Sequence, residues 1–411
     1  MELTGIWPPL PIILYGYNFD YDATMAYHNQ ICEININLRT WQLRHLASTM
    51  QVQFPALTYL RLQSGDPRGA PELPDGFLSG SVPHLQSLEL HSVAFPGFPN
   101  LLLSVPCLVG LTFLNIPDSG YFSPETLATN LAVLTDLKSL IIKFRSPPTR
   151  PDPETRLPPQ TSRTSLPALT RLELQVDSKY LEDLVARIDT PSLDSTSITF
   201  FHQLIFDVPQ LARFMRRATR FQALNGAHVD FYCGLDCDRY AVQVGPLPQT
   251  RTFDDKSKLV IFYEELDGLL SSLVQVCTSF FPSIYTVESL YICGLPWEWH
   301  NDADVMQWLE IFHPFTAVKS LYLSEVFAQF IAFVLQGLVG ERMTDVLPAL
   351  EGLFVEDLQP SGPIQEAIVQ FVAARQLLGH PVAVSCGTEK RYDIDFNDCP
   401  QYSISSMFGF I

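Results

Sequence analysis

The chain has 411 residues, 47% hydrophobic and 17% charged, the balance of a folded protein rather than a disordered one. Its 44 acidic and 26 basic side chains leave a formal charge of −18. That charge argues against a general nucleic-acid binder, which needs a basic surface, and against docking on anionic membranes.

Residues 1–30 are aromatic and polar, with Trp7-Pro8-Pro9-Leu10-Pro11 followed by a Tyr-Gly-Tyr turn. Ile31 to Leu38 alternates apolar and polar residues and predicts a first strand, with Trp41 to Met50 as its helix. Residues 1–53 are therefore expected to form an N-terminal capping unit.

From there a pattern recurs. Leu57-x-x-Leu60-x-Leu62 is followed by Leu85-x-x-Leu88-x-Leu90, Leu108-x-x-Leu111-x-Phe113, Leu137-x-x-Leu140-x-Ile142 and Leu169-x-x-Leu172-x-Leu174. It weakens at Ser195-x-x-Ile198-x-Phe200 and Phe221-x-x-Leu224. It returns at Val287-x-x-Leu290-x-Ile292, Val318-x-x-Leu321-x-Leu323 and Leu350-x-x-Leu353-x-Val355. The spacing is roughly that of leucine-rich repeats, about 20–29 residues, with a few long units. A strand-helix unit of this size cannot bury its apolar face alone, so the copies must stack.

Helices are expected between the strands. Ser123-Pro124-Glu125 is a helix start, with Leu127, Leu131 and Leu134 inward. Asp177 and Ser178 cap a helix buried through Leu181, Leu184, Val185 and Ile188, and Pro191 stops it. Asp207-Val208-Pro209 starts another, with Leu211, Phe214, Met215 and Ala218 inward and Arg213, Arg216, Arg217 and Arg220 as a basic stripe opposite. Further helices are expected over Asp267–Phe280, Asp302–Phe312, Glu325–Val339 and Pro363–Leu378. Two stretches interrupt the array. Arg145 to Pro167 carries seven prolines and four arginines with no apolar period, an insertion. Gly226 to Phe262 holds one irregular unit, with strands near Ala241–Val244 and Leu259–Phe262. The repeat region spans 54–385, and 386–411 is a polar tail ending Met407-Phe408-Gly409-Phe410-Ile411.

Eight scattered cysteines in a long chain are expected to be reduced thiols. The first basic residue is Arg39, so no signal peptide is expected, and no apolar run is long enough to predict a membrane span. The cytoplasm or nucleus is the expected compartment.

Side chains alternate across a strand. If Leu60 and Leu62 face the core, Tyr59, Arg61 and Gln63 face away from it. The same offset selects Ser87, Glu89 and His91; Ser139, Ile141 and Lys143; Arg171, Glu173 and Gln175; then Tyr291 and Tyr322. Together they predict a concave, mixed-charge face suited to a protein partner. The plain alternative is a solvated sheet whose Arg61/Glu89 and Arg171/Glu173 pairs neutralise each other. His228, Cys233 and Cys237, with Asp236 and Asp238, lack the ligand order of a zinc site. Asp302 and Asp304 near His300 suit a helix start better than a metal pair, as do Glu264, Glu265 and Asp267. No Walker loop, dinucleotide fingerprint, nucleophile elbow or H-E-x-x-H occurs, so no catalytic residue, metal or cofactor is expected.

The chain resembles the F-box/leucine-rich-repeat proteins of basidiomycete fungi. The phrases that carry this are Trp7 to Tyr21 (WPPLPIILYGYNFDY), Phe54 to Leu62 (FPALTYLRL), Asn115 to Glu125 (NIPDSGYFSPE), Tyr180 to Met215 and Gln359 to Ser385 (QPSGPIQEAIVQFVAARQLLGHPVAVS). The resemblance implies the substrate receptor of a cullin-type ubiquitin ligase, with an F-box helix bundle for a Skp-type adaptor and repeats for the substrate. No F-box motif maps onto the residues before the first strand, and none of the family's functional residues carries over. The expected fold is an α/β leucine-rich-repeat solenoid, a curved horseshoe with strands on the concave face and helices on the convex face. The expected function is non-catalytic protein binding. A stand-alone scaffold or inhibitor is the first rival and a hydrolase the second.

Overall fold

The computed structural model describes residues 10–16, 25–66, 69–80, 82–147, 163–201, 208–217, 226–233, 240–246, 258–263, 284–294, 305–338, 345–356 and 362–387. The chain divides into two compact units, with the break between Asp194 and Ser195.

The first unit is built on parallel strands. They are β1 (Ile12–Gly16), β2 (Ile31–Leu38), β3 (Tyr59–Ser64), β4 (Ser87–His91), β5 (Gly110–Ile116), β6 (Ser139–Phe144) and β8 (Arg171–Val176), adjacent in that order. A two-residue strand β7 (Thr164–Ser165) pairs separately with β9 (Ile188–Asp189). The helices between them are α1 (Thr40–Thr49), α2 (Phe98–Leu102), α3 (Pro124–Leu131) and α4 (Ser178–Arg187).

Register shows what the repeated leucines do. Leu60, Leu88, Leu111, Leu140 and Leu172 pair strand to strand in one row, and Leu62, Leu90, Phe113, Ile142 and Leu174 in the next. Every one of these side chains is buried. Full burial of each stabilises the fold by about 1.5–3 kcal/mol relative to exposure. Equivalent residues of successive repeats therefore form continuous apolar rows.

The first leucine of each pattern ends a turn. In Phe54-Pro55-Ala56-Leu57 the Leu57 amide donates to the Phe54 carbonyl at 3.2 Å. The same turn recurs at Val82-Pro83-His84-Leu85 (3.1 Å), Val105-Pro106-Cys107-Leu108 (3.2 Å) and Leu166-Pro167-Ala168-Leu169 (3.2 Å). Proline's fixed φ suits the second position of such a turn, and its missing N–H is not needed there. Pro55, Pro83, Pro106 and Pro167 are thus part of the repeat. Immediately after the turn, one carbonyl accepts two amides of the next repeat. Thr58 O receives Gln86 (2.8 Å) and Ser87 (3.1 Å), Gln86 O receives Val109 (2.8 Å) and Gly110 (2.9 Å), and Val109 O receives Lys138 (2.8 Å) and Ser139 (3.1 Å).

The second unit contains β10 (Ser195–Phe200), α5 (Pro209–Arg217), β11 (Gly226–Cys233), β12 (Tyr240–Pro246), β13 (Lys258–Tyr263), β14 (Ser289–Gly294), α6 (Val305–Phe312), β15 (Ser320–Leu323), α7 (Glu325–Gln336), β16 (Gly352–Glu356), α8 (Pro363–Leu377) and β17 (Ala383–Gly387). Its strand order is β10-β13-β12-β11-β14-β15-β16-β17. The middle is antiparallel, since β12 runs against both β11 and β13. This is the irregular stretch expected at Gly226–Phe262. From β14 the parallel rows resume, Leu290-Leu321-Leu353 and Ile292-Leu323-Val355.

Several expectations need adjusting. β1 lies where the sequence suggested only an aromatic lead-in. The helix expected to run to Pro191 ends at Arg187, because Ile188–Asp189 pair as β9 and Pro191 serves the turn Thr190–Leu193 instead. Within the expected Pro-rich insertion, Thr164–Ser165 pair as β7 and Leu166 is buried. β17 carries the sheet past Ser385 into Cys386 and Gly387. The Phe221 repeat, the Asp267–Phe280 helix, residues 148–162 and the tail from 388 lie outside the described residues. Among the described residues no helix is long and apolar enough to cross a membrane, and no cluster of three His, Cys, Asp or Glu could hold a metal ion.

Candidate protein-binding face

Burying the leucine rows turns the alternate residues to the opposite face. Tyr59, Arg61 and Gln63 on β3, Glu89 and His91 on β4, Lys143 on β6, and Arg171, Glu173 and Gln175 on β8 are all half-buried there, at the positions expected from the offset. Strand pairing sets Tyr59 beside Ser87, Arg61 beside Glu89, Gln63 beside His91 and Lys143 beside Gln175.

Two ionic clusters result. Glu89 accepts a hydrogen bond from the Tyr59 hydroxyl at 3.1 Å, and both Arg61 Nε and His91 Nε2 lie 3.7 Å from its Oε2. At 3.7 Å the His91–Glu89 contact is longer than an ordinary hydrogen bond. His91 is the largest influence holding the Glu89 carboxyl below its ordinary range. Tyr59 and Arg61 add to it, and burial opposes. Burial, then Glu89, raises the Tyr59 hydroxyl in turn.

The second cluster centres on Glu173, whose side chain is 13% exposed. Lys143 Nζ lies 2.8 Å from one oxygen, and Arg171 donates to the other through both Nε and Nη2. Burial alone would raise this carboxyl. Lys143 and Arg171 outweigh it and hold Glu173 below the ordinary carboxylate value. Both ion pairs anticipated from the sequence, Arg61/Glu89 and Arg171/Glu173, form. Between the clusters β5 contributes Gly110, Thr112 and Leu114, so the middle of the face is uncharged.

In the second unit the face is aromatic. The Tyr291 and Tyr322 rings stack with centroids 3.9 Å apart and planes 3° from parallel. Phe354 extends the stack at 4.4 Å and 9°. Neighbouring strands lie about 4.7–4.9 Å apart, so aromatic residues in one row stack with little adjustment. Phe354 was missed by the sequence reading, although the offset that selects Tyr291 and Tyr322 also selects it between Leu353 and Val355. A Cβ on Gly352 would lie 3.1 Å from Phe354 Cε2, so this glycine leaves room for the ring.

In the first unit, Ile13 and Tyr15 of β1 pair beside Glu33 and Asn35 and extend that unit's outward face to its edge. They are 59% and 80% exposed, yet were absent from the expected site because β1 itself was not foreseen. The arginine stripe behaves as a helix surface, with Arg213 and Arg216 exposed and Arg217 over the Phe214 ring at 5.7 Å. Arg220, Cys237, His300, Asp302 and Asp304 lie outside the described residues.

No protein-family model matches the chain, and no curated protein matches it. Among solved structures, the leucine-rich repeat-containing protein LegL7 from Legionella pneumophila is similar at 12% identity, over 88% of this chain and 97% of that one, with a TM-score of 0.30.

Proposed function

We propose that the chain is a leucine-rich-repeat solenoid that binds a protein partner on its outward strand face and catalyses no reaction. The observation that carries this reading is the register. Equivalent residues of successive strands fall in rows within each unit, so one strand face is spent on the core and the other carries hydroxyl and ionic side chains in the first unit and aromatic ones in the second. A stable protein interface needs about 800 Å² on each partner, and a many-stranded face can supply that area.

The resemblance of several sequence phrases to F-box/leucine-rich-repeat proteins motivates a more specific reading, the substrate-recognition part of a ubiquitin-ligase receptor working in the cytoplasm or nucleus. Incubating the full chain with a purified Skp-type adaptor tests that part. Co-elution on gel filtration favours the ligase reading. Absence of a complex at micromolar concentrations favours a stand-alone scaffold, and leaves the binding face in place.

A further inference from the structure

The aromatic stack stops one strand short of the sheet's end. Phe354 meets Tyr322 through one ring face, so its ring normal points across the strands and the other face points over β17. There the paired residue is Ser385, with Ala383 and Gly387 as the neighbours on the same side. None of the three is large enough to cover a phenyl ring. Among the described residues nothing large stands above β17, which leaves a ledge about one strand spacing wide, about 4.8 Å, enough for one planar group.

The ledge has one further wall. Glu356 follows Phe354 by two residues and pairs opposite Gly387, so its carboxylate rises from the same face. Among the described outward residues of β14 to β17 it is the one charged side chain. A half-buried aromatic ring with one face stacked, beside a carboxylate with no basic neighbour among the described outward residues of β14 to β17, on a chain of net charge −18, is complementary to a flat cation.

We propose that this ledge takes an arginine side chain from a basic segment of the partner, its guanidinium flat on Phe354 and hydrogen-bonded to Glu356. The inference rests on the reading of the strand face as a binding surface and names one contact within it. Arginine fits better than lysine because it is planar, stacks and donates in a fork. Stacking holds the group over the ring and the carboxylate fixes its rotation.

The test uses the full chain and a fluorescent hexaarginine peptide, read by anisotropy at moderate salt, with hexalysine for comparison. Phe354→Leu keeps apolar bulk but removes the π face, and is expected to weaken hexaarginine by about 2- to 30-fold with an unchanged melting temperature. Glu356→Gln is expected to weaken it as well. Glu351→Gln, which removes the same charge just before β16, is expected to leave it within about twofold of the parent. Hexalysine is expected to bind more weakly and to ignore Phe354→Leu. Equal losses from Glu351→Gln and Glu356→Gln, with Phe354→Leu silent, mean diffuse attraction and overturn the proposal. So does the absence of hexaarginine binding. Neither outcome bears on the wider face, which is read separately by partner cross-linking from Ile141 in the first unit.

Discussion

Glu173 shows how an outward residue of a strand contributes to stability. Its carboxylate is gripped by Lys143 and Arg171, and its folded pKa lies below the ordinary value of 4.5. A depressed carboxylate contributes stability that is present above the unfolded pKa and is lost as pH falls through the folded one. The first unit is therefore expected to lose stability as pH drops below about 4.5, with Glu89 contributing in the same direction. Glu173→Gln is expected to flatten that slope and to cost about 1–2 kcal/mol at neutral pH, measured by urea unfolding across the pH range. Arg375 on α8 has a different task. It is fully buried, and its Nη2 donates to the carbonyls of Leu347 (3.4 Å), Pro348 (3.4 Å) and Leu350 (3.1 Å). These belong to the last Pro-containing turn, where Leu347 sits at φ 49°. Arg375→Met retains the stem but leaves the carbonyls without that donor. A loss of about 1.5–3 kcal/mol is expected in denaturant melts.

At the scale of elements, the two faces of a strand predict opposite responses. Leu140→Ala on β6 opens a cavity in the buried row and is expected to cost about 3–4 kcal/mol. Its neighbour Ile141→Thr, on the outward face, is expected to stay within about 1 kcal/mol of the parent. Matched chemical denaturation of the two variants checks this. The strand positions were legible in the sequence because the Leu-x-x-Leu-x-Leu spacing marks the buried rows, and those rows fix the opposite face. β1 was not legible. Its five residues follow Pro11 and end on Gly16, which read as turn, and only pairing with β2 makes them a strand. The proline turns were missed for a related reason. Proline reads as a breaker residue by residue, while its role here is visible only once the Leu57-type amides are seen closing the turn. The antiparallel β11–β13 stretch carries no leucine pattern, so its pairing had no sequence signal beyond short apolar runs.

For the whole molecule, the acidic surplus argues against phosphate-rich partners. The ionic groups of the first unit's face are largely satisfied within the face, so binding energy there is expected to come from desolvated aromatic and apolar contacts rather than from new ion pairs. The account depends on one claim, that a partner is held by the outward strand residues and not by the helices. The direct measurement is photo-cross-linking with benzoylphenylalanine placed at Ile141 and Tyr322 on the strands, and at the exposed Val133 and Phe333 beyond or on helices α3 and α7. The account predicts partner adducts from Ile141 and Tyr322 alone. Adducts from Val133 or Phe333 without any from the strand positions would contradict it.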